Sequence, residues 1–183
     1  MPRDVAVVVG SLRRASLNRK MALALAQIAA PELRLRIVEI SGLALYDEDV
    51  DKDPPASWRV FREAIRAADA VLFVTPEYNR SIPGVLKNAI DVGSRPYGQS
   101  AWNGKPGAVV SVSPGAAGAF GANHHLRQCL VFLNVPVLQQ PEAYIGGAGG
   151  LFDEAGHLVK EETRVFLRKF TEAFAAWIER ILA

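Results

Sequence analysis

Ala70-Val71-Leu72-Phe73-Val74 is an unbroken apolar run rich in β-branched residues, and it stops against Thr75-Pro76. A strand with one wet face alternates apolar with polar; a run without alternation belongs to a strand covered on both faces, as in a parallel sheet. Val5-Ala6-Val7-Val8-Val9, ahead of Gly10, and Ala108-Val109-Val110-Ser111-Val112, ahead of Ser113-Pro114, have the same character. Leu33-Arg34-Leu35-Arg36-Ile37 alternates apolar with basic residues instead, which predicts an edge strand. A fifth strand is expected within 135–145, its limits blurred by Pro136 and Pro141.

Helix-period segments lie between these runs: Leu17, Met21, Leu25 and Ile28; Trp58, Phe61, Ile65 and Ala68; Leu126, Cys129, Leu130 and Leu133. A closing helix is predicted from a stripe of Phe166, Phe170, Phe174, Trp177 and Ile181, with Arg164, Lys169, Glu172, Glu179 and Arg180 off it. Alternation of strands and helices gives a doubly wound α/β sheet, and right-handed crossovers with the second strand at an edge give the order 2-1-3-4-5. The expectation is a flavodoxin-like five-stranded parallel sheet rather than a longer six-strand dinucleotide fold. Such sheets bind ligands beyond the carboxyl ends of their strands. The loops at 10–18, 76–83 and 113–121 are therefore where chemistry is sought.

Composition sets the outer limits. At 183 residues the chain is expected to form one domain spanning 1–183. With 50% hydrophobic and 22% charged residues it lies far from the composition of disordered chains. Lys and Arg number 21 against 19 Asp and Glu, and a net charge of +2 is too small to point to nucleic acid. The single cysteine, Cys129, cannot form an intrachain disulfide or a Cys-rich zinc site, and its place on an apolar stripe reads as a core position. No apolar run approaches the roughly 18 residues that span a bilayer, and no signal segment opens the chain. A cytoplasmic protein without membrane or nucleic-acid partners is expected.

The first loop, Gly10-Ser11-Leu12-Arg13-Arg14-Ala15-Ser16-Leu17-Asn18, follows a buried strand and opens a helix. It offers unpaired backbone N–H groups and the positive end of a helix dipole, with short polar side chains and two guanidinium groups, which together outline a phosphate cradle. Helix capping by Ser16 or Asn18 beside solvated arginines is the plainer reading of the same residues. Neither a Walker loop nor G-x-G-x-x-G is present. In the second loop Pro76 stops a strand, Ser81 can cap, and Pro83 fits a first helical turn. Between them Tyr78 and Asn79 offer an aromatic face and a bidentate amide for a planar heterocycle, although a capped turn with a surface tyrosine accounts for them equally.

Other candidates carry less. Asp47 to Asp53 has alternating acids but Lys52 where a calcium loop needs glycine, and reads as a solvated loop. His124 and His125 are adjacent and point to different helix faces, so no metal site is expected; a placement near a subunit contact is. Gly146 to Gly150 reads as a flexible loop, and no G-x-S-x-G elbow is present.

Gly-Ser-Leu-Arg-x-x-Ser-x-Asn at 10–18, Thr-Pro-Glu-Tyr-Asn-x-Ser-x-Pro-Gly at 75–84 and Leu-Lys-Asn-Ala-Ile-Asp at 86–91 resemble the NAD(P)H-dependent FMN reductases, including quinone and chromate reductases. The resemblance covers most of the chain. It implies a flavodoxin-like fold, bound FMN, NADPH or NADH as co-substrate, and a homodimer or homotetramer. It also implies that Ser11, Arg13, Ser16, Leu17 and Asn18 hold the FMN phosphate and ribityl chain, that Pro76, Glu77, Tyr78 and Asn79 line the isoalloxazine ring, and that Ser113, Pro114 and Gly115 approach its other edge. Ser-Pro-Gly-Ala-Ala-Gly at 113–118 departs furthest from the family pattern. The function expected is electron transfer from NAD(P)H through FMN to a small-molecule acceptor: a quinone, free flavin, an azo compound or a metal oxyanion such as chromate. No catalytic acid or base is needed, because the cofactor supplies the chemistry. The alternative is an FMN-binding electron carrier without direct NAD(P)H turnover, disfavoured by the lack of an acidic docking face outside residues 47–53.

Overall fold

The valine-rich runs pair as parallel strands. In a computed structural model describing all 183 residues, β1 (Arg3–Val9), β2 (Leu33–Val38), β3 (Ala70–Thr75), β4 (Gly107–Val112) and β5 (Ala143–Ile145) form one sheet in the order β2-β1-β3-β4-β5. Register carries Val9 opposite Val74, Thr75 opposite Ser111 and Val112 opposite Ile145. The loops after β1, β3, β4 and β5 therefore emerge together at the carboxyl end. The basic-alternating strand β2 lies at the edge, as its pattern predicts.

Strand side chains alternate between two cores, as the pleat requires. Val5, Val7 and Val9 pack with α1 (Leu17–Ile28) and α5 (Glu161–Leu182), while Ala6 and Val8 pack with α2 (Ala56–Arg66), α3 (Gly84–Gly93) and α4 (Phe120–Phe132). Covering both faces explains why β3 and β4 are buried at every position. No helix is long and apolar enough to cross a membrane.

Four expectations need correction. The buried stripe of α5 is Leu167, Phe170, Phe174 and Ile178, with Phe166 and Trp177 only partly buried, so the helix is rotated from the all-aromatic stripe. The segment 47–53 is tethered rather than wholly solvated: Asp51 accepts from the buried Arg62 guanidinium at 3.0 Å and from the Tyr46 hydroxyl at 2.7 Å. Cys129 lies at the margin of its core, half-buried, where it lines a cavity of about 790 Å³ between α3 and α4 with Asp91, Phe132 and Leu133. The segment 146–150 is anchored at two points, with Gly146 packed and Ala148 buried in a 3₁₀ turn at Ala148–Gly150, while Gly147, Gly149 and Gly150 are exposed. A β-carbon on Gly146 would come within 2.5 Å of the Ala116 carbonyl oxygen, which fixes this segment against the loop after β4.

Candidate functional site

The first loop is short of internal bonds. None of the backbone N–H groups of residues 11–18 donates to a backbone carbonyl, so the N-terminus of α1 presents its donors and its positive dipole end to the loop. Ser16 caps the helix, accepting from the Arg19 N–H at 3.1 Å, and keeps its own O–H to donate. Ser11, Arg13 and Arg14 line a pocket of about 230 Å³ that reaches the end of β2, where Arg19 is held by Glu39 at 2.6 and 3.0 Å. That bidentate pair lowers the Glu39 carboxyl below its ordinary range. Arg13 and Arg14 are exposed and form no such pair.

Beneath the loop lies Asn18, buried, with its Nδ2 donating to the Val112 carbonyl at 3.4 Å. Its Oδ1 is buried and has no partner. An orphaned acceptor costs roughly 1–3 kcal/mol. Donors facing outward and an acceptor lacking a donor suit a ligand that carries both an anionic phosphate and hydroxyl groups.

The second loop forms a two-residue hairpin. Tyr78 and Ser81 exchange backbone hydrogen bonds at 2.9 Å each, while Asn79 and Arg80 adopt φ of 51° and 66°. Two successive left-handed residues make a primed turn, where Asn is favoured and Arg is strained. The backbone N–H groups of Glu77, Asn79 and Arg80 form no backbone bonds, and the Tyr78 side chain is 50% exposed. The loop after β1 comes close: a β-carbon on Gly10 would lie 3.0–3.4 Å from Leu86, Thr75 and Pro76. Ser81 does not cap α3 as the sequence predicts; its hydroxyl shares a 2.7 Å hydrogen bond with His125 Nδ1, and Pro83 occupies the N-cap position.

The third loop rests on a buried polar chain. Ser111 Oγ donates to the Gly118 carbonyl at 2.7 Å, Asn123 Nδ2 donates to Ser111 Oγ at 3.2 Å, and Arg127 Nε donates to Asn123 Oδ1 at 2.9 Å. Gly118 lies against the Tyr144 and Ile145 backbone, where a β-carbon would clash at 2.6 Å. Ser113, Pro114 and Gly115 form the outer part, with Ser113 donating its N–H to Ile145 and its Oγ to the Gly115 carbonyl. Sequence reasoning missed Ser111 and Asn123. The available signal was a polar residue on the apolar stripe of α4 with Leu126 and Leu130, a position that demands a buried partner.

The structure thus brings 11–18, 76–79 and 113–115 to one end of the sheet, with backbone N–H groups that no backbone carbonyl takes throughout 11–18, at Glu77 and Asn79, and at Gly115. The Glu77 side chain is engaged within the chain: its Oε2 accepts from the Ala122 N–H at 3.0 Å. His124 and His125 are both bonded within the chain, His124 Nε2 to the Tyr144 hydroxyl at 2.9 Å. Burial first, and then the nearby Glu142 carboxylate, push Tyr144 up to about 12, so its hydroxyl stays protonated.

Comparison with known proteins agrees with this geometry. A family model described as NADPH-dependent FMN reductase matches residues 3–150. A quinone reductase of Pseudomonas putida is 65% identical over 96% of this chain and 95% of its own length. A 2-hydroxy-1,4-benzoquinone reductase of a Burkholderia species is 48% identical over 97% of both chains. Among solved structures, the flavoenzyme NAD(P)H:(acceptor) oxidoreductase FerB of Paracoccus denitrificans superposes with a TM-score of 0.91 at 43% identity, covering 97% of this chain and 98% of that one.

Proposed function

The chain belongs to the NADPH-dependent FMN reductase family, and from that membership we propose that it is a flavin-dependent quinone reductase built as one FMN-binding domain over residues 1–183. When bound, FMN supplies the redox chemistry, accepting hydride from NAD(P)H and passing two electrons, with two protons, to a quinone that leaves as the quinol. The chain's own task is to bind, orient and shield.

The first loop carries the reading, with its unbonded N–H groups over the unpartnered Asn18 oxygen. Ser11, Arg13 and Ser16, with the Leu17 N–H, supply donors to the phosphate. Asn18 Oδ1 takes its missing donor from a ribityl hydroxyl, because its Nδ2 already faces Val112. Pro76 and Tyr78 line the ring, Tyr78 with its aromatic face, and the free backbone N–H groups of Glu77 and Asn79 offer donors to its pyrimidine edge, where negative charge develops on reduction. Ser113, Pro114 and Gly115 close the other edge. The strained left-handed Arg80 fits such a role, since strain persists where surrounding contacts over-determine the backbone.

On this reading nicotinamide and acceptor use the same ring face in turn. Free flavin, azo compounds and chromate are further acceptors on this reading, and the protein is cytoplasmic. Self-association as a homodimer or homotetramer is supported by Tyr97, Val131 and Phe132, apolar side chains 89%, 76% and 87% exposed. The electron-carrier alternative has less support, because the full-length relatives are named as reductases. Steady-state kinetics with NADPH and NADH against quinones, free flavin, an azo dye and chromate tests the assignment, with light scattering for the assembly. Quinone-dependent turnover is expected; oxidation of neither nicotinamide with any acceptor overturns the reading.

A further inference from the structure

Helix α4 begins without a side-chain cap of its own. Its N-cap residue is Ala119, at φ 60°, whose methyl side chain offers no acceptor to the orphaned donors of the first turn. The missing acceptor comes from 45 residues away: Glu77 Oε2, on a side chain only 16% exposed, takes the Ala122 N–H at 3.0 Å. Gly121 makes room for it, since a β-carbon there would lie 2.9 Å from that oxygen and 3.3 Å from the Arg80 carbonyl. A carboxylate at the positive end of a helix, partly shielded from water, is a favourable arrangement. The exposed Arg80 touches the other oxygen only at 3.5 Å, so the helix terminus is the main partner.

The placement joins two loops. Glu77 immediately precedes the strained turn at Tyr78–Ser81, and α4 immediately follows the loop that ends at Ala119. Ser81, on the far arm of the turn, is bonded to the next turn of the same helix through His125 at 2.7 Å. The turn is thereby held at both arms by one helix.

We propose that Glu77 is a positioning residue: its carboxylate clamps the Tyr78–Asn79 turn to the start of α4 and so fixes the spacing of the second and third loops that receive the flavin ring. This rests on the flavin assignment made above. It replaces a ring-lining role for the Glu77 side chain with one exerted through the backbone donors on either side of the ring.

The test uses the full chain stripped of FMN, in the parent protein and in Glu77→Ala, Glu77→Gln, Gly121→Ala and the Glu77→Ala/Gly121→Ala pair. Three readouts are FMN affinity, flavin midpoint potential, and amide exchange at Ala122 before FMN is added. Glu77→Ala is expected to weaken FMN about tenfold, shift the potential and speed exchange at Ala122, while Glu77→Gln, which keeps a carbonyl acceptor, stays within about threefold of the parent. Gly121→Ala displaces the carboxylate from the opposite side and should reproduce the loss, with the double variant no worse than Glu77→Ala. Should Glu77→Ala not fold, Gly121→Ala against Glu77→Gln carries the same comparison. FMN affinity and potential unchanged in Glu77→Ala, or losses that add in the double variant, overturn the proposal. A parent protein that binds no FMN overturns the flavin assignment instead, and exchange at Ala122 still reports the clamp.

Discussion

The Asn18 amide donates to the Val112 carbonyl at 3.4 Å, and that bond fixes which of its two polar atoms is left over: Oδ1, buried and unpartnered. The contact ties the first turn of α1 to the last residue of β4, 94 positions apart. An unsatisfied acceptor in a native fold calls for a reason, and a ligand hydroxyl supplies one. Asn18→Leu removes both polar atoms while filling similar space. The FMN-free protein should stay within about 1 kcal/mol of the parent, relief of the orphaned Oδ1 offsetting the lost bond to the Val112 carbonyl, while FMN affinity falls about tenfold. Thermal unfolding without FMN, paired with FMN titration, separates the two effects; a clear loss of stability with FMN affinity unchanged would make Asn18 an ordinary core residue.

Arg13 is exposed and free of carboxylate partners, so its removal should leave the fold unchanged. Arg13→Ala is expected to weaken FMN by about tenfold through a lost charge-assisted bond to phosphate, with riboflavin binding changed by less than about twofold. An equal loss for both flavins would contradict a phosphate role.

Two neighbouring glycines should behave differently. A β-carbon on Gly146 meets the Ala116 carbonyl oxygen at 2.5 Å, whereas one on Gly149 has nothing within 4 Å. Gly146→Ala is expected to cost about 1–3 kcal/mol and to weaken FMN through the third loop, and Gly149→Ala to stay within about 0.5 kcal/mol. Urea unfolding of the two variants side by side is the measurement.

Tyr46 stacks on Trp58 at 5.5 Å and donates to Asp51, and burial followed by that hydrogen bond pushes it up to about 12. The folded state therefore holds a proton that the unfolded chain gives up near 10. The stability this contributes is complete below pH ~10 and is lost as pH rises through ~12. Unfolding free energy should fall across that window, and Tyr46→Phe should flatten part of the fall, Tyr144 accounting for another part. A Tyr46→Phe profile identical to the parent's would remove Tyr46 from the account.

Much of this was legible in the chain. Unalternating runs at 70–74 and 108–112 read as interior parallel strands because burial on both faces leaves no polar position, and the basic alternation of 33–37 read as an edge for the converse reason. The three loops followed from parallel register alone. What stayed hidden were tertiary choices between equivalent local options. Ser81 has the chemistry of a cap and the reach of a tertiary hydrogen bond, and only the position of His125 decides. The Glu77 carboxylate is likewise taken by an uncapped helix start 45 residues on, a partner that local sequence does not reveal. In α5, Leu167 and Ile178 displaced Phe166 and Ile181 from the core, because facing side chains set helix rotation more strongly than the count of aromatics.

The central claim is that bound FMN exchanges electrons with NAD(P)H and with a quinone at one open site. The most direct measurement mixes the FMN-loaded protein with NADPH or NADH without oxygen or any added reductase, follows the flavin absorbance, and then adds a quinone. The account predicts rapid bleaching by nicotinamide alone, followed by full recovery of the yellow colour. Colour that persists with both nicotinamides, or bleached protein that no quinone restores, would contradict it.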